Sequence, residues 1–197
     1  LSGKKVFTFS IIPFAMMRCF EQIRVDICYQ NLDVTVIGIG AGFAYSTSGC
    51  THYGTEDIAI MRALPNMKIY CPCHPLEARL LAEKVLRTGG PAYLRLGKGK
   101  ETPVVELAEE TSKDVENGKG VVVLPGTDVT IFTTGHIITE AISVAKELRK
   151  QCLSVEVINI HTLKPLDTSI ILERLKTRKT IISLEEQSIY GGMGSAV

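Results

Sequence analysis

Short runs of β-branched and aromatic residues alternate with stretches of helical periodicity along almost the whole chain, and this alternation restricts the fold more than any other feature. Residues 5–11, 34–39, 67–71, 92–96, 129–133, 153–158 and 180–184 read as strands. Residues 16–29, 56–63, 75–86, the stretch after Gly135 and residues 168–175 read as helices between them. After Gly135, for example, Ile138, Ala141, Ile142, Ala145 and Leu148 recur at helical spacing, as Ala78, Leu81, Ala82 and Val85 do earlier. Each parallel strand pair needs a crossover connection, so this order predicts an α/β protein with mainly parallel sheets and helices on both sides. Residues 99–127 break the rhythm, being charged and glycine-rich with no long periodic helix. The reading is therefore a first three-layer α/β domain over 1–100, a linker over 101–125 with room for a hairpin, and a second such domain over 126–197.

Chemistry is expected in the loop after the second strand. Val34 to Ile39 is a β-branched run of the kind covered on both faces, and Gly38, Gly40, Gly42 and Gly49 follow, where another molecule could approach the backbone. Thr55 is the expected N-cap of a helix that places Glu56 and Asp57 at its positive end and turns Ile58, Met61 and Leu64 to the core before Pro65 stops it. His52 lies inside the loop, where it could give or take a proton near neutral pH, or merely stack on the loop and bond to backbone. The residues alone leave both readings open.

Composition narrows the function classes. A chain of 197 residues with 45% hydrophobic and 22% charged content is an ordinary soluble globular protein, expected in the cytoplasm, and a net charge of +1 offers no electrostatic case for nucleic acid or an anionic membrane. No apolar run reaches the roughly 18 residues of a membrane span. Six scattered cysteines, Cys19, Cys28, Cys50, Cys71, Cys73 and Cys152, read as reduced thiols. The Cys71-Pro72-Cys73-His74 run is read as a strand end entering a helix with Pro75 at its first position, so no metal site is expected. Gly38-Ile39-Gly40-Ala41-Gly42 echoes a dinucleotide loop only loosely, and Walker, nucleophile-elbow and H-E-x-x-H patterns are missing. Leu1 in place of Met, and an end within a glycine loop at Val197, read as a piece cut at both ends.

Several runs carry a resemblance. Phe20-Glu21-Gln22-Ile23-Arg24, Asp26 to Leu32, Thr51-His52 with Glu56-Asp57-Ile58-Ala59, and Met61 to Met67 resemble the pyrimidine-binding domain of transketolases. His161 to Asp167, Glu185-Glu186 and Gly191-Gly192-Met193-Gly194-Ser195 resemble the transketolase C-terminal domain. Similarity is greatest to the split form, in which this half is a separate C-terminal subunit.

The resemblance implies a thiamine-diphosphate-dependent transfer of a two-carbon ketol unit from a ketose to an aldose, both as sugar phosphates. It implies an N-terminal partner subunit that holds the diphosphate through Mg2+, in a homodimer or heterotetramer whose faces include the 16–29 helix and the loop around His52. The glutamate that promotes the imino form of the cofactor would lie just upstream of Leu1, so this chain alone is expected to be inactive. His52 matches a histidine that contacts donor oxygens near the reacting carbon. Phe14 and Phe20 are candidates for the aromatic platform; counting back from Gln22 gives Ala15, so Phe14 serves only if the turn before the helix holds one extra residue. Lys98 matches a basic position, often arginine, that grips the sugar phosphate. Gly40 and Ser48 stand where yeast-type members carry a histidine and an aspartate for sugar hydroxyls, and Gln187 where relatives often have histidine. Alternatives are the matching half of a deoxyxylulose-phosphate synthase, a 2-oxo-acid dehydrogenase beta-type subunit, or a non-catalytic structural partner.

Overall fold

The computed structural model describes residues 2–99, 112–178 and 180–197. Four parallel strands form most of the first sheet: β1 (Val6–Ile11), β2 (Val34–Ile39), β3 (Lys68–Tyr70) and β4 (Ala92–Leu96), in the order β1-β2-β4-β3. The second sheet contains β5 (Val121–Leu124), β6 (Val129–Thr133), β7 (Val155–Asn159) and β9 (Thr180–Leu184), in the order β5-β7-β6-β9. Here β6 runs parallel to β7 and β9, while β5 runs antiparallel on the edge. Helices α2 (Asp57–Ala63), α3 (Pro75–Thr88), α5 (Ile138–Lys150) and α6 (Thr168–Thr177) follow the strands as the alternation requires. No helix among the described residues is long and apolar enough to cross a membrane.

Four local features depart from the sequence reading. The helix expected over 16–29 begins at Pro13 and is uneven: wide i→i+5 turns at Pro13–Met17 and Ile23–Tyr29 flank a short α1 (Phe20–Gln22), with the Arg18 amide donating to the Pro13 carbonyl at 3.3 Å. A wide turn holds one residue more than an α-turn. Thr55 does not cap α2; its hydroxyl donates to the Glu56 carboxylate at 3.0 Å, and Asp57 turns inward and is fully buried. The stretch read as linker carries α4 (Ser112–Asn117) against α3 and then β5, because Val121-Val122-Val123-Leu124 is itself a β-branched run with an inward-facing set. Residues 100–111, where the hairpin would start, lie outside the described residues. Last, β8 (Thr162–Lys164) leaves the second half of the chain and joins the first sheet antiparallel to β3.

That crossing strand shows how the halves are held. The Cys71 amide donates to the His161 carbonyl at 2.8 Å, and Lys164 Nζ donates to the Arg62 carbonyl at 2.9 Å. Both hydrophobic cores draw on both sheets: one joins Ile58, Met61 and Tyr93 to Phe132, Ile158 and Leu163, the other joins Leu81 and Leu94 to Val121, Ile138 and Val157. Full burial of Ile58 and Met61 on α2 stabilises by roughly 1.5–3 kcal/mol each. The result is a rigid base for the loop between β2 and α2.

Candidate active site at the glycine loop

Backbone geometry forms the neck of the loop. Beyond β2, Gly40 has a φ of +86°, and the Gly40 and Ala41 amides both reach the Leu96 carbonyl, at 3.0 and 3.3 Å. Gly42 and Gly54 then exchange two backbone bonds of 2.9 Å each, closing residues 42–54 into a pinned loop. Gly42 has a φ of +58°, and a Cβ there would stand 2.6 Å from the Glu186 side chain. The close approaches at Gly40 and Gly42 are therefore by this chain's own Tyr45 and Glu186. Beyond the neck, Ser46, Thr47, Ser48, Cys50 and Thr51 are exposed.

Around this exposed tip the candidate side chains meet unevenly. The His52 ring lies edge-on to Phe14, with centroids 5.0 Å apart at 72°, and 6.5 Å from Tyr45. Its Nδ1 is 2.9 Å from the Thr51 hydroxyl, which fixes one ring nitrogen and turns Nε2 to other partners. Arg18 covers the Phe14 ring at 4.2 Å, and Lys98 Nζ sits 4.6 Å from the Tyr45 centroid and 3.4 Å from the Ala44 carbonyl. Phe14, His52, Tyr45 and Lys98 thus line one continuous surface. Ser48 is exposed on the same loop. Phe20 is elsewhere, packed half-buried against the core of the first sheet. Phe14 lies within the wide turn at Pro13–Met17, before the short α1 that holds Gln22.

Beyond Lys98 a cleft of about 340 Å³ continues past Leu96, Cys73, His74 and His136. His74 caps α3 by accepting from the Leu76 amide at 3.0 Å, with Pro75 at the first helical position. Burial pushes the Cys71 thiol up to about 12 against the pull of Arg95, so it is a packed, unreactive group.

Beneath the loop lies a polar cluster that the reading from sequence missed. Asp57 accepts from Arg95 Nε at 2.8 Å and from the Tyr93 hydroxyl at 2.5 Å, with Gln187 Nε2 at 3.4 Å. Arg95 Nη2 also donates to the Gly54 carbonyl at the neck (2.8 Å) and to the Glu186 carbonyl from the other half (3.0 Å). Burial lowers the affinity of Arg95 for its proton, but Asp57 outweighs it and holds the guanidinium above its ordinary range. Burial and then Asp57 likewise raise the Tyr93 phenol. Arg95 in the run Ala92-Tyr93-Leu94-Arg95-Leu96 was the available signal: a charge in a strand covered on both faces demands a partner.

Comparison with known proteins agrees with this architecture. Residues 1–102 match the transketolase pyrimidine binding domain and residues 118–197 the transketolase C-terminal domain. The chain is 34% identical over its full length to an apulose-4-phosphate transketolase subunit of Actinobacillus succinogenes, covering 62% of that protein. It is 34% identical over 98% of its length to the 6-deoxy-6-sulfo-D-fructose transketolase subunit SqwH of Clostridium sp., covering 59% of it. A solved split-gene transketolase, described as an inactive beta4 tetramer, superposes with a TM-score of 0.85 at 34% identity over 98% of this chain and 62% of that one. The chain thus spans about three-fifths of the length of these relatives. On both domains and these relatives, the chain belongs to the transketolase family, carrying its pyrimidine-binding and C-terminal domains.

Proposed function

We propose that this chain supplies the pyrimidine side of a thiamine diphosphate site and, with an N-terminal partner subunit, transfers a two-carbon ketol unit from a ketose to an aldose in the cytoplasm. The observation that carries the reading is the meeting, at 5.0 Å, of Phe14 in the wide turn after β1 with half-buried His52 on the pinned loop. The donor set fits one end of the cofactor only. An aromatic ring and an imidazole suit an aminopyrimidine and a sugar oxygen. The diphosphate and its Mg2+ are assigned to the partner subunit in this reading, and activity is assigned to the pair.

When bound, thiamine diphosphate supplies the carbon nucleophile that attacks the ketose carbonyl and carries the two-carbon unit. This chain's residues bind and orient. Phe14 supports the pyrimidine ring by stacking. His52, held through Nδ1 by Thr51, directs Nε2 to donor oxygens beside the reacting carbon, where a hydrogen bond that strengthens in the transition state lowers the barrier. Lys98 offers a point charge to the phosphate of the sugar, without arginine's bidentate fork. Gly40 leaves no polar side chain for a sugar hydroxyl, and Ser48 offers only a short one, so the sugars accepted differ from those of relatives with a histidine and an aspartate there. Exposed Phe43, 53% accessible on the loop, supports subunit contact there, as a homodimer or heterotetramer.

The test is a donor and acceptor screen of the holoenzyme reconstituted with its partner, Mg2+ and thiamine diphosphate. His52→Ala should lower kcat/KM by about 10²-fold or more, with cofactor affinity retained. If the partner alone binds the cofactor and turns over as well as the pair, this chain is a structural subunit and the reading fails.

A further inference from the structure

A second cleft, of about 400 Å³, opens where the two halves meet and shares no lining residue with the surroundings of His52. Lys68 at the start of β3 and Lys84 on α3 form one side. Lys119, after α4, and Asp167 with Ser169, at the start of α6, form the other. Three ammonium groups thus face a single carboxylate.

Lys68 and Lys84 are held by backbone carbonyls, which fix direction without cancelling charge, while Lys119 is paired with Asp167. Lys68 Nζ donates to the Gly89 carbonyl, and Lys84 Nζ donates to the Glu116 carbonyl at 2.6 Å. The Glu116 carboxylate itself turns to Arg87 Nη2 at 2.7 Å. Asp167 is already engaged, by Lys119 Nζ at 3.2 Å, the Gly120 amide at 3.0 Å and the Ser169 amide at 3.2 Å. Lys84 shows the imbalance: burial holds its ammonium below the ordinary lysine range, Glu116 opposes this, and Arg87 adds to it. A cation kept partly out of water with too little counter-charge gains from an anion.

We propose that this cleft binds the phosphoryl group of a small phosphorylated metabolite. A phosphoryl dianion carries up to two charges on three acceptor oxygens, which suits separated ammonium groups acting as point charges. The volume lies within the roughly 300–1,000 Å³ of small-molecule sites, leaving room for the body that bears the phosphate. Because its walls come from both halves, an occupied cleft holds them together and raises the unfolding midpoint.

The experiment is titration of the full chain with inorganic phosphate at constant ionic strength, reading the thermal midpoint, with sodium chloride and citrate in parallel. A saturable rise with phosphate is expected. Lys84→Met with Lys119→Met should raise the half-saturating concentration at least about tenfold, since each removes a charge-assisted contact. Lys84→Arg with Lys119→Arg should keep the rise, and so should Lys98→Met, which separates this cleft from the loop site. If the methionine pair fails to fold, Lys68→Met, on the same side as Lys84, provides the same reading. An unsaturable rise, an equal rise with chloride, or unchanged half-saturation in the methionine variants would overturn the site. Citrate binding as tightly as phosphate would overturn the phosphoryl assignment.

Discussion

Arg95→Met is the substitution that most directly tests how the loop is held. Asp57 and the Arg95 side chain are 0% and 3% exposed, so neither charge has water to fall back on. The change removes the 2.8 Å bond to Asp57, the 2.8 Å bond to the Gly54 carbonyl and the 3.0 Å bond to the Glu186 carbonyl, leaving the Asp57 carboxylate with Tyr93 and a long contact to Gln187. Removing one partner of a buried pair costs roughly 3–5 kcal/mol, mostly because the remaining charge is stranded. Adding Asp57→Asn should recover part of that loss, since a neutral amide at 57 still accepts from Tyr93 without carrying a buried charge. By contrast Arg87→Met, which breaks a pair 55% and 50% exposed, should change stability by less than about 1 kcal/mol. Urea unfolding followed by far-UV circular dichroism measures all three, and amide exchange at Gly42 and Gly54 should quicken in Arg95→Met. A loss below about 1 kcal/mol for Arg95→Met, or a double variant less stable than the single one, would refute the account.

Three further outcomes follow from other parts of the structure. Burial raises the Glu77 carboxyl to about 7, opposed by bonds from the Cys73 amide and Asn159, so the folded chain keeps this proton while the unfolded chain gives it up; Glu77 therefore lowers stability as pH rises from about 4.5 to 7, by about 3 kcal/mol in all. Burial lowers His161 to about 4, so its contribution runs the other way and is lost as pH falls from about 6.5; Glu77→Gln should unmask it, giving a variant whose stability gain over the parent grows between pH 5 and 7 and vanishes below pH 4, as urea midpoints would show. Gly42→Ala must take a φ of +58° and place a Cβ 2.6 Å from Glu186, so it should cost about 1–3 kcal/mol by the same assay. Phe14→Ala should weaken thiamine diphosphate binding by the reconstituted pair about tenfold and cost less than about 1 kcal/mol of stability, whereas Phe20→Ala should cost about 2 kcal/mol and leave cofactor affinity in place; the reverse pattern would move the platform to Phe20.

Where local residues decide the structure, the sequence was legible. Residues 34–39, 92–96, 129–133 and 180–184 are β-branched or aromatic runs bounded by turn residues, and each is a strand over the range read from it. His52 and Phe14 could be singled out, but they are 38 positions apart, and only the fold brings their rings to 5.0 Å. What escaped has one physical character. β8 is three residues long, too short to show a period, and exists because β3 offers it an edge. Asp57 looked like a residue placed for a helix dipole because the sequence does not say which way a side chain at the first helical position turns. Arg95 to Glu186, Arg62 to Gly191 and Gly192, Lys164 to Arg62 and Leu64, and Glu77 to Asn159 all join the first half of the chain to the second across large separations. Hydrophobic periodicity reports which face of an element is buried, but not which polar group awaits it on another element. Apart from Glu156 with Thr130 and Arg174 inside the second half, these buried polar pairs lie where the halves meet, so each half could be read from its own residues while the junction that aligns them required the structure.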